Sequence, residues 1–295
     1  MLMFVCFRPG RFLLSALVAV AAAAAAAVCF AAVGSFEALQ AGAEDGVRLP
    51  IIMYHSVFEK RLGKYVVSPA AVEGDIRYLK ANGYSTVTVR DLLAYVDEGK
   101  ALPEKPVMLT FDDGDYNNYT YVYPLAKKYG ERVVISPVGR YTDLFTNGKN
   151  AADAGHPAYS YLTWGEISEM IDSGYVEIQN HSYDLHGDSG RLGASRRAGE
   201  SAAAYTALLE RDLRKMQQEM KEHTGYEPTA FVYPYGAVSK ESIPVVKKIG
   251  FRASMTCQSR INVITRDPEC LYGLGRFLRP SGPASGEYFR RIGVT

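Results

Sequence analysis

The sequence predicts an α/β fold of parallel βαβ units closed into a barrel-like sheet. Three observations lead there. Strand-like apolar runs alternate with helix-like segments from residue 49 to 255. Three polar motifs each follow the C-terminal end of an expected strand, the face on which parallel α/β barrels build active sites. They are Thr110-Phe111-Asp112-Asp113-Gly114, the stretch from His181 to His186, and Tyr233-Pro234-Tyr235-Gly236. After residue 48 there is no internal repeat and no second-domain boundary.

The elements follow from local chemistry. Residues 49–54 read as an apolar strand. Ser68-Pro69 pairs an N-cap with proline at the first helical position, opening a helix to about 82–83. Residues 86–89 form a short strand, and Asp91 caps a helix running towards Gly99. Residues 106–111 are a buried strand that delivers Asp112 and Asp113, and 119–129 a helix closed by Gly130. A strand at 133–138 precedes a loop at 139–161. Thr163-Trp164-Gly165-Glu166 fits a capping box and starts a helix ending near 173–174. The strand at 176–179 runs into His181, and 187–200, rich in Gly, Ser and Arg, reads as an exposed loop. The longest helix spans 201–223, closed by Thr224-Gly225. A strand at 231–233 ends in Pro-Tyr-Gly, Ser239 caps a helix to about 249, and 251–255 is a further strand.

The chain has 295 residues, 47% of them hydrophobic, enough for one large α/β core. Its 33 basic and 32 acidic residues give a net charge of +1, so no electrostatic case exists for a nucleic-acid partner. The 21 tyrosines beside a single Trp suit a carbohydrate groove, although packing accounts for most of them. Arg8 and Arg11 precede an Ala-rich apolar run over 12–33. Residues 1–34 therefore read as a signal peptide or signal-anchor helix and 35–48 as a linker, leaving 49–295 as the working domain outside the cytoplasm. The N-terminal segment, if uncleaved, is the membrane attachment. Cys257 and Cys270 lie in the exported domain, where a disulfide and two free buried thiols are equally open readings.

Adjacent Asp112 and Asp113 leave their strand in different directions, so one can ligate a metal while the other faces substrate. Burying two carboxylates without a cation is costly. His181 and His186 are two of only 5 histidines and can complete the site for one divalent metal. His55 follows the first strand on the same face and is a candidate proton donor. There is no Gly-x-Ser-x-Gly elbow, which argues against a serine hydrolase.

With these motifs the chain resembles the polysaccharide deacetylases of the NodB-homology type, carbohydrate esterase family four. Residues 110–114, 181–186 and 233–236 match the family's three ordered motifs, and the resemblance spans roughly 49–280. The His spacing and the Tyr-His after the first strand resemble the branch of poly-N-acetylglucosamine deacetylases. That resemblance implies a distorted (β/α) barrel in a single domain, a monomer, and an N-acetylated glycan polymer as partner. It implies Asp113, His181 and His186 on a divalent metal, zinc with cobalt or nickel as alternatives. It also implies Asp112 as general base, the Tyr235 amide at the oxyanion and His55 as general acid. The chain departs from the wider family in carrying Val232 where many members have Arg, and in lacking the late Asp-x-x-Asp-Trp and Leu-x-His motifs. Asp184 and Arg276 are the candidates for replacement charge. The rival expectation is a glycan- or wall-binding protein that keeps the fold without strong catalysis.

Overall fold

A computed structural model describes residues 46–187 and 190–295. The segments read above as signal or anchor and as most of the linker fall outside them. The strands are β1 (Val47–Leu49), β2 (Ile51–Tyr54), β3 (Ser56–Val57), β4 (Val66–Val67), β5 (Ser85–Thr86), β6 (Pro106–Asp113), β7 (Val133–Pro137), β8 (Val176–Ile178), β9 (Ala230–Val232), β10 (Ala253–Met255), β11 (Asn262–Ile264) and β12 (Phe277–Leu278). The α-helices are α1 (Pro69–Ala81), α2 (Val89–Glu98), α3 (Tyr123–Tyr129), α4 (Gly139–Thr146), α5 (Trp164–Asp172), α6 (Ala202–Thr224), α7 (Ser242–Ile249) and α8 (Ser285–Arg291).

The sheet closes on itself. Strands pair in parallel in the order β12-β2-β6-β7-β8. A single bridge, Asn180 to Phe231, joins the end of β8 to β9, which pairs in parallel with β10. Met255 then bridges Leu274, whose chain runs into β12 and completes the ring. Two seams held by one bridge each make this a distorted (β/α) barrel, as expected. Elsewhere β5 extends the start of β6, and β1 pairs antiparallel with β11.

Alternation along the strands sorts side chains into two layers. Ile51, Met108, Val134, Ala230, Val232, Ala253, Met255 and Leu274 pack together and fill the barrel interior. Their neighbours Ile52, Tyr54, Val107, Leu109, Phe111, Val133, Ile135, Val176 and Ile178 pack outward against the helices. Strand β6 is buried along nearly its whole length, the signature of a parallel strand covered on both faces. Continued by two, the interior set includes Met53 and His55, Thr110 and Asp112, His181, Cys257, Arg276 and Leu278.

Local capping shaped the helices largely as expected. Ser68 accepts from the Ala71 amide and Pro69 begins α1. Thr163 and Glu166 form the capping box of α5. Several readings change. Ser239 does not cap α7, which begins after Glu241 with no side-chain cap. The linker gives way to β1 at Val47, because Val47 to Leu49 pair with β11. Asp91 is the third residue of α2, answering Thr88 at the N-cap rather than capping itself. The stretch read as a loop from 139 contains α4, which begins without any side-chain cap. Residues 190–200 are partly buried, with Arg191 held by a two-pronged ion pair to Glu200 and Ala194 fully enclosed. Cys257 and Cys270 are both free thiols. Among the described residues no helix is long and apolar enough to cross a membrane.

Candidate active site

The three motifs meet at the C-terminal mouth of the barrel, around a cavity of about 480 Å³. His55, Asp112, Asp113, His181, His186 and Tyr235 all line it, with Met53, Cys257 and Leu278 as its apolar wall. Alternation explains Met53, His55, Asp112, His181, Cys257 and Leu278, the continued interior sets of β2, β6, β8, β10 and β12. Asp113, His186 and Tyr235 are out of that register and enter from the turns that follow the strands.

The mouth is also where the backbone is strained. Only four described non-glycine residues have a left-handed φ. Three of them are Asp113 (71°), Ser182 (72°) and Tyr235 (58°), one in each motif. Each such conformation costs on the order of 1 kcal/mol and persists only where the surroundings enforce it. Gly236 is needed beside Tyr235, because a Cβ there would lie 2.7 Å from both the Cβ and the main-chain nitrogen of Cys257.

Asp113, His181 and His186 bring their ligand atoms within 4.8 Å of one another. Asp113 Oδ1 lies 3.4 Å from His181 Nε2 and 3.1 Å from His186 Nε2. His181 Nδ1 lies 2.8 Å from the Val232 carbonyl. That contact requires the proton on Nδ1 and leaves the Nε2 lone pair facing Asp113. Asp113 Oδ1 is buried with no hydrogen-bond partner. An orphaned carboxylate oxygen ringed by imidazole nitrogens is what a divalent cation would satisfy, so these residues fit a metal. Burial works to raise the Asp113 carboxyl, but the two imidazoles outweigh it and hold it well below the usual range. Burial lowers His186, and Asp113 more than reverses this, so its pKa is raised.

Asp112 is built differently. It is 2% exposed and receives both prongs of the fully buried Arg276, at 2.7 and 2.8 Å. Arg276 is fixed in turn by the Thr256 carbonyl and the Thr110 hydroxyl. Burial pushes the Asp112 carboxyl up, and the guanidinium outweighs it to hold the group below its ordinary value. Of the two candidates for replacement charge, Arg276 reaches the site. Asp184 is instead paired with Arg140 at 2.7 and 2.9 Å, outside the cavity lining.

His55 stands edge-on to Tyr65, ring centres 4.9 Å apart, and its Nδ1 is buried without a partner. Burial lowers its pKa, against the opposing pull of Asp112 and Asp113. Its backbone is held by Asn118, which donates to the His55 carbonyl at 3.0 Å. Asn117 accepts from the Val57 amide and donates to the Ser56 hydroxyl. Both asparagines sit where the chain after Asp-Asp-Gly turns through a π-helix at Asn118–Val122, and sequence reasoning missed them. Asp115 was missed as well; burial first, then the Asp113 charge, push its carboxyl up to about 7. The signal was their place just after the first motif. Tyr235 packs its ring 4.4 Å from His186 and donates its hydroxyl to the His186 carbonyl.

Residues 99–254, more than half of the chain, match the polysaccharide deacetylase family. The chain belongs to that family. A poly-beta-1,6-N-acetyl-D-glucosamine N-deacetylase of Escherichia coli (strain K12) is 26% identical over 262 residues, covering 82% of this chain and 38% of the relative. The chain thus spans well under half of that protein's length. The Staphylococcus aureus (strain MSSA476) protein of the same name is 26% identical over 208 residues, 70% of this chain and 67% of its own. Among solved structures, a de-N-acetylase from Aggregatibacter actinomycetemcomitans superposes with a TM-score of 0.67 at 27% identity, over 82% of this deacetylase-family chain and 99% of its own. IcaB from Ammonifex degensii gives 0.67 at 25% identity, over 85% and 97%.

Proposed function

We propose that this member of the family is a metal-dependent N-deacetylase acting outside the cytoplasm on a β-1,6-linked N-acetylglucosamine polymer. The observation that carries the reading is the division of the paired aspartates. Asp112 is held ionised by Arg276, while Asp113 faces two imidazoles, and both line one cavity. The names of the Escherichia coli and Staphylococcus aureus relatives support the choice of polymer.

Asp113, His181 and His186 would hold the ion. A bound zinc, or cobalt or nickel in its place, would polarise the acetamide carbonyl and acidify a water molecule. Asp112 takes the proton from the attacking water, and Arg276 keeps the carboxylate oriented and ionised for that transfer. The Tyr235 amide serves the developing oxyanion from a backbone already fixed by its left-handed conformation, so no reorganisation is required during the reaction. His55, in the cavity wall beside Asp112, returns a proton to the leaving amine.

The test is a mass-spectrometric screen of the metal-loaded full chain against poly-β-1,6-N-acetylglucosamine, chito-oligomers and peptidoglycan fragments. Loss of acetyl groups, strongest on the β-1,6 polymer, is expected. Glycan binding with acetyl content unchanged, on protein shown to contain metal, would overturn the proposal in favour of a non-catalytic binding protein.

A further inference from the structure

Away from the barrel mouth, a second set of metal-ligating atoms converges in the helical shell. Asp143 on α4 and Glu219 and His223 on α6 each bring one ligand atom within 4.8 Å of the others. Glu219 and His223 are four residues apart on one helix face, with Oε2 and Nε2 separated by 3.5 Å. A tetrahedral ion with bonds of about 2.1 Å holds its ligands roughly 3.4 Å apart. The Glu219–His223 spacing meets that requirement, as do the 3.1 and 3.4 Å spacings at the mouth.

Two of the three ligands are already oriented by side chains outside the set. One Asp143 oxygen accepts from Trp164 Nε1 and the other from the Tyr183 hydroxyl, both at 2.7 Å. The His223 ring lies flat on the Trp164 indole, with centres 5.0 Å apart and planes 8° from parallel. Hydrogen-bonded carboxylates and fixed imidazoles are how proteins prepare metal ligands. One ring nitrogen with two carboxylate oxygens suits zinc and its borderline neighbours rather than calcium or magnesium. Lys215, one turn before Glu219, is the competing cation. Its ammonium sits over the Tyr183 ring, 3.7 Å from the centre, rather than in an ion pair with either carboxylate.

We propose that Asp143, Glu219 and His223 form a second binding site for a zinc-like divalent cation, separate from the trio at the mouth. The site would not be an isolated staple. Tyr183, whose hydroxyl holds Asp143, lies in the loop between His181 and His186. The main-chain amides of Tyr183 and Asp184 in turn donate to Asp212 on α6. An ion there would tie α4 and α6 to the loop that carries both histidines of the mouth. This inference does not rest on the deacetylase reading.

The test counts metal. The full chain is stripped with chelator, reloaded with saturating zinc, desalted and measured by inductively coupled plasma mass spectrometry. Two zinc ions per chain are expected. Glu219→Gln and His223→Ala should each leave one, and Asp113→Asn should leave the other. His223→Gln, which keeps a side chain against Trp164, replaces His223→Ala if circular dichroism shows the latter unfolded. One zinc per wild-type chain, or two that persist in both the Glu219 and His223 variants, overturns the proposal.

Discussion

Two buried arginine–aspartate pairs, built on arginines only three residues apart, serve opposite ends. Arg276 meets Asp112 at 2.7 Å and Arg279 meets Asp75 at 2.8 Å, and all four side chains are almost fully enclosed. Being three apart, the arginines project from opposite faces of the β12 segment. Arg276 points into the barrel and Arg279 into the shell. In the shell both partners make further bonds to fixed protein groups. Asp75 also accepts from the Tyr54 hydroxyl, and Arg279 donates to the Pro280 and Pro283 carbonyls and stacks over Tyr288. In the barrel the carboxylate borders an open cavity beside an unsatisfied Asp113 oxygen. The same bond therefore locks α1 to the sheet in one layer and holds an ionised carboxylate at the cavity in the other.

Matched substitutions probe that contrast most severely. Asp75→Asn and Asp112→Asn each strand a buried guanidinium and should each cost about 3–5 kcal/mol of stability by denaturant titration. At a temperature where both remain folded, their rates should part. Asp112→Asn should lose about 10²–10⁴-fold in kcat, and Asp75→Asn should stay within a few-fold of wild type. Equal rate losses would erase the distinction between the pairs.

Arg276→Gln sharpens the barrel side. Asp112 must be ionised to act, so activity is lost as pH falls through its pKa. That pKa is held down by Arg276 against the upward push of burial. Removing the guanidinium should move the acid limb of the kcat/KM profile to higher pH. An acid limb that stays in place would separate Asp112 from the titration. Tyr54→Phe tests the shell with a smaller change. Losing one of the hydrogen bonds on Asp75 should cost about 1 kcal/mol with kcat intact, read from the denaturation midpoint. The smallest effect concerns Cys257 and Cys270. As free thiols they should leave Tm unchanged when reductant is added, and a drop in Tm would point to a disulfide.

Much of this was legible in the sequence because it is local. Strand ends, the Ser68-Pro69 start, the Thr163–Glu166 box and the position of all three motifs follow from short-range chemistry. What escaped depends on distant partners. The seams that close the barrel, Asn180 with Phe231 and Met255 with Leu274, join residues far apart in the chain. Helix α4 lacks a capping side chain, so nothing local announced it. Asn117 and Asn118 gain their role only by meeting the β2–β3 junction across some sixty positions. Arg276 could be nominated from the missing family arginine, but its contact with Asp112 needed the ring to be closed.

The most direct test of the central claim measures acetate release and bound metal together on zinc-loaded wild-type and Asp112→Asn full chains, with poly-β-1,6-N-acetylglucosamine as substrate. The division of labour predicts that wild type releases acetate and that Asp112→Asn releases almost none, while both carry the same metal. Equal release by the two proteins, or no release by metal-bound wild type, would contradict it.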